Sequence, residues 1–238
     1  MTFDQSGFQV RCEWGRPGLN ALTPISDVVV IVDVLSFTSA VDVATARGAM
    51  ILPYPSKGDA AAAYAASIDA HLASADRGHG FSLSPASLRN IPARYRLVLP
   101  SPNGAALSFG LDRPRVLAGC LRNAKAVAAC AARLGSTIAV IPAGEVWPGG
   151  ELRPCVEDLI GAGGIIANCA GSRSPEAMMA VAAFERCRAD LAATLRRCGS
   201  GKELIERGFG LDVELAAQLD VSSNAPRLVN GEFLLNSA

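Results

Sequence analysis

The chain has 238 residues, half of them apolar, and its 22 Lys and Arg balance 22 Asp and Glu to a formal net charge of zero. That length and composition suffice for one domain with a sizeable core, and the neutral balance gives no electrostatic case for nucleic acid or an anionic membrane as partner. No apolar run has the length of a transmembrane helix, the amino-terminal MTFDQSGFQVRCEW lacks the basic and apolar regions of a signal peptide, and seven cysteines without Cys-x-x-Cys spacing point to reduced thiols in a cytoplasmic protein, not to disulfides or zinc.

Residues 8–14 are expected to form a first strand and the Gly-, Pro- and Asn-rich stretch 15–24 a loop. Val28–Val32 follows, five β-branched apolar residues that stop at Asp33. Such a run reads as a strand buried on both faces of an α/β sheet. Ser36, Thr38 and Ser39 come just behind it. Asp33 then has two readings. It closes the strand while a hydroxyl caps the next helix, or it is the ligand-side carboxylate that α/β folds place at strand ends.

The spacing predicts a helix over 39–47 ending at Gly48, a short strand at Met50–Leu52 closed by Pro53, and an alanine-rich helix from Asp59 to about residue 73. The stretch 75–92 reads as a long loop carrying Arg77 and His79. Loops of that length serve binding more often than short ones do, although a lone exposed Arg or His is ordinarily just solvated. Leu97–Leu99 is a strand closed by Pro100, and the turn 101–104 brings Asn103-Gly104. A short helix over AALSFG comes next, then a short strand at Arg115–Leu117, then a helix over AKAVAACAARL with Asn123 as its N-cap.

Thr137–Ile141 is a further strand, and the loop 143–154 carries Glu145, Trp147, Glu151 and Arg153. Residues 155–170 read as a helix with Glu157 and Asp158 in its first turn, where acidic side chains favour the positive helix end without any active site. Ser174-Pro175-Glu176 starts a helix whose apolar positions continue to Gly199. Two short helical segments, 202–207 and 212–219, and an irregular tail complete the chain. Strand and helix alternate without repeat or linker, so the expectation is a single α/β domain over 1–238, a three-layer α/β/α architecture with a mostly parallel or mixed sheet.

Three strand ends share one design: Val28–Val32 delivers Asp33, Leu97–Leu99 delivers Asn103-Gly104, and Thr137–Ile141 delivers Gly144-Glu145. As parallel neighbours they would meet on one rim, with the helix start at Glu157 and Asp158 in reach. That gathers Asp33, Glu145, Glu157 and Asp158, an oxygen-only set suited to Mg²⁺ and costly without a cation. Hydroxyls, helix-start amides and Arg77, Arg122 and Arg153 are at hand for anionic groups. The pattern therefore admits metal-assisted phosphoryl chemistry, among other metal-assisted hydrolase or lyase reactions. GAGG at 161–164 falls inside a helix and is no dinucleotide fingerprint. No P-loop or nucleophile-elbow signature is present. Leu35 stands two places beyond Asp33, where phosphatases of the haloacid-dehalogenase type carry a second aspartate.

The segments DVLSFTSAVDVATARGA, FSLSPASL, PNGAALS, CLRNAKAVAA, AGEVWPGGELRPCVEDLIGAGGII and SGKELIERGFGLDVELAAQLDVSSNAP, in this order from about residue 28 to 227, resemble the 2-phosphosulfolactate phosphatase family. The resemblance implies an α/β fold and a Mg²⁺-dependent acid phosphatase that hydrolyses the phosphate monoester of sulfolactate, a step of coenzyme M synthesis, or of related 2-hydroxy acids. By position it matches Asp33 and the Glu157-Asp158 pair to family residues; with the acidic strand ends this makes Asp33, Glu157 and Asp158 the expected catalytic residues and Asp33, Glu145, Glu157 and Asp158 the expected metal ligands. Asn103, Gly104 and Asn123, by position in the family pattern, and Ser36, Thr38 and Arg153, from their place in the strand-end loops, are the expected substrate contacts. Two departures stand out. Ser36 replaces the arginine after the family's Asp-Val-Leu, and Pro102-Asn103-Gly104-Ala105-Ala106 replaces a Thr-Asn-Gly-Thr-Arg turn. The loss of two cations leaves a second reading open, a non-catalytic anion-binding homologue. The alanine-rich helices leave room for a homodimer.

Overall fold

Five β-branched residues in succession have no polar face to turn to water, and Val28–Val32 (β2) accordingly sits inside the sheet with every side chain buried. The computed structural model describes residues 4–111 and 115–236. Besides β2, its strands are β1 (Val10–Cys12), β3 (Met50–Tyr54), β4 (His71–Leu72), β5 (Arg96–Pro100), β6 (Arg115–Gly119), β7 (Ile138–Pro142), β8 (Glu145–Val146), β9 (Leu152–Arg153), β10 (Arg227–Val229) and β11 (Glu232–Leu234). The helices are α1 (Gly15–Leu22), α2 (Phe37–Ala46), α3 (Asp59–Ser67), α4 (Gly104–Ser108), α5 (Ala124–Leu134), α6 (Val156–Ala167), α7 (Pro175–Cys187), α8 (Leu191–Arg197), α9 (Gly199–Glu206) and α10 (Gly210–Ala216).

Nine strands form one sheet in the order β1-β7-β2-β6-β10-β11-β3-β5-β4, and β8 and β9 make a separate small hairpin. The group β1, β7, β2 and β6 pairs in parallel, as does the group β3, β5 and β4. The hairpin of β10 and β11 joins the groups through antiparallel pairings to β6 and β3. Successive β2 residues point to opposite faces. Val28, Val30 and Val32 enter a core with α5, α6 and α7. Val29 and Ile31 enter a second core with α1, α2 and α4. The architecture is α/β with helices on both faces of a mixed sheet.

α2 is buried from Phe37 to Thr45, polar residues included. Its hydroxyls survive burial by donating to the backbone: Thr38 to Asp33 O at 2.8 Å, Ser39 to Val34 O at 2.8 Å and Thr45 to Val41 O at 2.7 Å. Around it Ile51, Leu97, Leu99 and Phe233 join the core of Val29 and Ile31. The sheet thus curls about α2, and the curl brings the carboxyl end of β5 round to that of β2.

Several elements differ from the sequence expectation. The stretch 15–24 is not a loop but holds α1, because Leu19 and Leu22 bury one helical face and Pro17 falls in the first turn, where no N–H is needed. α3 stops at Ser67, and residues 71–72 pair with β5 instead of continuing the helix. The helix expected up to Gly199 breaks after Cys187, and Asp190 starts α8 by accepting from Ala193 N–H. The tail is not irregular. Asn230-Gly231, both at positive φ (52° and 83°), turns β10 into β11 as a two-residue hairpin does. β5 is no parallel neighbour of β2 either, since β6, β10, β11 and β3 lie between them. GAGG lies inside α6, as expected, and there Gly163 lets α7 approach so closely that a Cβ would meet Ala180 O at 1.9 Å. All seven cysteines are free, six of them buried. Among the described residues no helix is long and apolar enough to cross a membrane.

Candidate active site

Asp33 is the first polar side chain after β2, and the backbone around it is closed by local bonds. Thr38 N–H donates to Asp33 O at 2.9 Å, and Asp33 N–H donates to Thr38 Oγ1 at 3.0 Å. Its carboxylate collects two amides. Oδ1 accepts Phe37 N–H from the start of α2 at 3.1 Å, and Oδ2 accepts Gly104 N–H from the start of α4 at 2.8 Å. Only glycine permits the second contact, because a Cβ on residue 104 would lie 2.8 Å from Asp33 Oδ2 and 2.7 Å from Phe37 Cδ1. Burial raises the Asp33 pKa from 3.8 to about 6; the nearby Glu145 charge adds to this, while the two amides and Arg77 oppose it. A carboxyl so tuned can exchange a proton near neutral pH.

Asp158 does a different job. Its Oδ1 accepts Val34 N–H at 2.7 Å and its Oδ2 accepts Gly144 N–H at 2.9 Å, so it ties the exits of β2 and β7 to the first turn of α6. Burial, then the charges of Asp33 and Glu157, push its pKa well above the carboxylate range. Both Glu157 and Asp158 are buried.

A cleft of about 150 Å³ opens beside Asp33, with Ser36, Arg77, Asn103, Glu145 and Arg207 in its walls. Arg77 Nη2 donates to Ser36 Oγ at 3.2 Å and Nη1 to Asp212 Oδ2 at 3.1 Å. Glu145 Oε2 accepts from Arg153 Nε at 3.1 Å and also from its Nη2, which reaches Ser200 Oγ at 2.8 Å. A larger cavity, about 250 Å³, is lined by Lys57, Ala62, Leu72, Leu99 and Arg77 but does not reach Asp33. The smaller cleft holds the tuned carboxyl and is the candidate site.

Of the residues singled out in the sequence, Asp33, Ser36, Arg77, Asn103 and Glu145 line this cleft. Others require correction as direct ligands. The Thr38 hydroxyl is fully buried and closed onto Asp33 O. Gly104 N–H is engaged by Asp33 and is not open to a phosphate. Asn123 is buried at the exit of β6, where Oδ1 accepts Cys120 N–H at 2.9 Å and Nδ2 donates to Ala118 O at 3.3 Å. Arg122 pairs with buried Asp42 at 3.0 Å. Arg153 meets Glu145 and does not line the cleft itself. The expected cluster of four carboxylates is not formed, since no three His, Cys, Asp or Glu side chains converge among the described residues. Asp158, like Asp33, has an amide on each carboxylate oxygen, but unlike Asp33 it does not line the cleft.

Sequence reasoning missed Asp212, Ser200 and Glu203 on α9, and Arg207 just beyond its end. Their only signal was the match of SGKELIERGFGLD to the family pattern, without roles. The two departures acquire a setting here. Ser36, in place of an arginine, has the Arg77 guanidinium beside it, and Ala106, in place of the other, accepts from Arg16 through its carbonyl.

Comparison with known proteins adds an independent finding. The family model described as 2-phosphosulpholactate phosphatase matches residues 17–231. A protein of Carboxydothermus hydrogenoformans named probable 2-phosphosulfolactate phosphatase is 30% identical over 221 residues, covering 88% of this chain and 90% of the relative. One of the same name from Gloeobacter violaceus is 30% identical over 212 residues, covering 84% and 88%. The 2-phosphosulfolactate phosphatase of Methanothermobacter thermautotrophicus is 30% identical over 216 residues, covering 88% and 90%.

Proposed function

The chain belongs to the 2-phosphosulfolactate phosphatase family, a family of phosphoric monoester hydrolases, and from that premise we propose that it hydrolyses 2-phosphosulfolactate or a closely related phosphorylated hydroxy acid with the help of Mg²⁺. The observation that carries the reading is Asp33, buried at the cleft, fixed by two amides and raised to a pKa of about 6. In this reading Asp33 accepts the proton of the attacking water as its oxygen bonds to phosphorus. The ester P–O bond breaks, and the proton passes to the departing alkoxide, leaving inorganic phosphate and the hydroxy acid. Ser36 and Asn103 stand where they can orient phosphate oxygens.

The donor chemistry of the cleft fits Mg²⁺. Its walls hold three carboxylates, Asp33, Glu145 and Glu203, the last paired with Arg207, with hydroxyl and amide oxygens and no histidine or cysteine. A hard cation that keeps several waters and takes one or two carboxylates plus substrate phosphate needs no more. Asp33 and Glu145 would hold it, and when bound it supplies charge neutralisation for the phosphate. Asp158 and Glu157 support the site from outside the cleft in this arrangement. Seven free thiols support a reducing, cytoplasmic setting.

Purified protein assayed for phosphate release from a panel of small phosphate monoesters, with Mg²⁺ and with a chelator, tests this. Turnover restored by Mg²⁺ and strongest on 2-phosphosulfolactate is expected. Absence of turnover on every ester with Mg²⁺ present sinks the proposal. Ser36 and Ala106 favour one alternative, an anion-binding homologue that has lost catalysis, and phosphate binding without turnover would support it.

A further inference from the structure

We propose that Arg77 receives the phosphate group of the substrate and that Asp212 is the positioning residue that aims it. The inference rests on the reading that the cleft beside Asp33 is a phosphatase site. Arg77 comes from the long 75–92 segment, yet its side chain is only 11% exposed and forms part of the cleft wall. Its fork is divided between a support and the site. Nη1 is held by Asp212 Oδ2 at 3.1 Å, while Nη2 faces Ser36 Oγ at 3.2 Å on the side of Asp33. A planar guanidinium with one edge anchored presents its other donors in a fixed direction, the geometry that suits phosphate oxygens.

Asp212 is itself tightly held. Its side chain is 1% exposed, and Oδ1 accepts the Ser84 hydroxyl at 2.6 Å and Ala86 N–H at 3.0 Å. Ser82 Oγ donates to Arg77 O at 3.2 Å and fixes the backbone that carries the arginine. One segment therefore supplies both the cation and the clamps on its counter-ion. An arrangement needed only for stability has no reason to face a cleft, since a buried ion pair seldom adds stability over apolar packing.

A second guanidinium stands in the same wall. The guanidinium carbons of Arg77 and Arg207 each lie 5.9 Å from the centre of the Phe209 ring, and both residues line the cleft. Two like charges around one ring repel each other unless a negative group comes between or beside them. Arg207 has Glu203 as partner at 2.9 Å, and Arg77 has Asp212. With each arginine already paired and Asp33, Glu145 and Glu203 in the same walls, what the two arginines add for a phosphate is hydrogen-bond donors and not excess charge.

Inorganic phosphate, the reaction's inorganic product, is the probe, measured by calorimetry and as a competitive inhibitor. Arg77→Ala should weaken phosphate binding at least tenfold, and Arg77→Lys, which keeps charge but not the fork, should recover part of it. Asp212→Asn should weaken phosphate several-fold and raise KM with kcat changed less than twofold, and Asp212→Glu should restore both. Circular dichroism and a melting curve identify variants that fail to fold. If Asp212→Asn is among them, Ser84→Ala, which loosens one grip on Asp212, should give the same KM-weighted effect at smaller size. Unchanged phosphate affinity in folded Arg77→Ala overturns the proposal even if the phosphatase reading stands. Arg77-dependent phosphate binding in a protein that turns over no ester leaves the clamp standing and overturns the phosphatase reading instead.

Discussion

Replacing Asp33 by asparagine separates the stability of the protein from its chemistry. Asp33 has a native pKa of about 6 against 3.8 in an unfolded chain, with burial as the largest cause. The folded state therefore holds this proton more tightly than the unfolded state. Stability from this group is complete below pH 3.8, declines as pH rises towards 6 and is flat above. The ionised carboxylate costs the fold about 3 kcal/mol at neutral pH. The carboxamide of Asp33→Asn cannot ionise and escapes that cost, but its NH₂ must face either Phe37 N–H or Gly104 N–H, donor against donor. One lost bond of this kind costs about 1–3 kcal/mol. The variant should thus be about 1–3 kcal/mol less stable than the parent near pH 4, and equal to it or up to about 2 kcal/mol more stable at pH 7, while losing phosphatase activity. Removing the Asp33 charge also relieves Asp158, whose pKa that charge raises, so the coupling acts in the same direction. Urea denaturation of both proteins at the two pH values, with chelator present, reads the difference. A gap that stays constant within about 1 kcal/mol across that range, or an Asp33→Asn protein that still releases phosphate, refutes the reasoning.

Three further substitutions probe the frame around the site. Gly104→Ala drives a Cβ against Asp33 Oδ2 and Phe37 Cδ1, at 2.8 and 2.7 Å, and should cost about 1–3 kcal/mol in denaturant and most of the activity. Gly163→Ala meets Ala180 O at 1.9 Å, where backbone must shift; it should lower stability by about 3 kcal/mol or more while leaving KM of whatever folds unchanged. Arg122→Ala strands the fully buried Asp42 carboxylate and should cost about 3–5 kcal/mol, with the double variant Asp42→Asn/Arg122→Met recovering much of it; equal stability of the single and double variants would contradict the buried-pair account.

The local chemistry of the chain set much of its own structure. Five adjacent β-branched residues have no amphipathic alternative, so β2 and its burial follow from composition. Ser174-Pro175-Glu176 carries its own cap, and Ser174 Oγ does accept Ala177 N–H, at 3.1 Å. Asp33, standing where an apolar strand meets polar residues, was marked as a strand-end carboxylate by position alone. The hairpin at Asn230-Gly231 was equally legible in its turn residues, but a short apolar pair on each side gave little periodicity to weigh.

Other features depend on contacts between distant residues. α1 exists because the core offers a place for Leu19 and Leu22, which outweighs the poor helix propensity of Gly15, Pro17 and Gly18. The pairing of β5 far from β2 could not be read from strand order, yet the curl around α2 still delivers Gly104 to Asp33. Which carboxylate borders the cleft and which lies behind it was likewise undetermined, because Glu157 and Asp158 look alike beside any helix start. Only in three dimensions do the amides of Val34 and Gly144 occupy Asp158, while the Asp33 carboxylate borders open space. The sequence by itself determined the buried strands β2, β5 and β7, the capped helix and the tuned residue's place at a strand end, because those follow from neighbours along the chain. The tertiary structure alone decided the direction of Arg77, the burial that raises Asp33 and the enclosure of Asn123 behind β6, because desolvation and hydrogen-bond partners are set by residues far away in sequence.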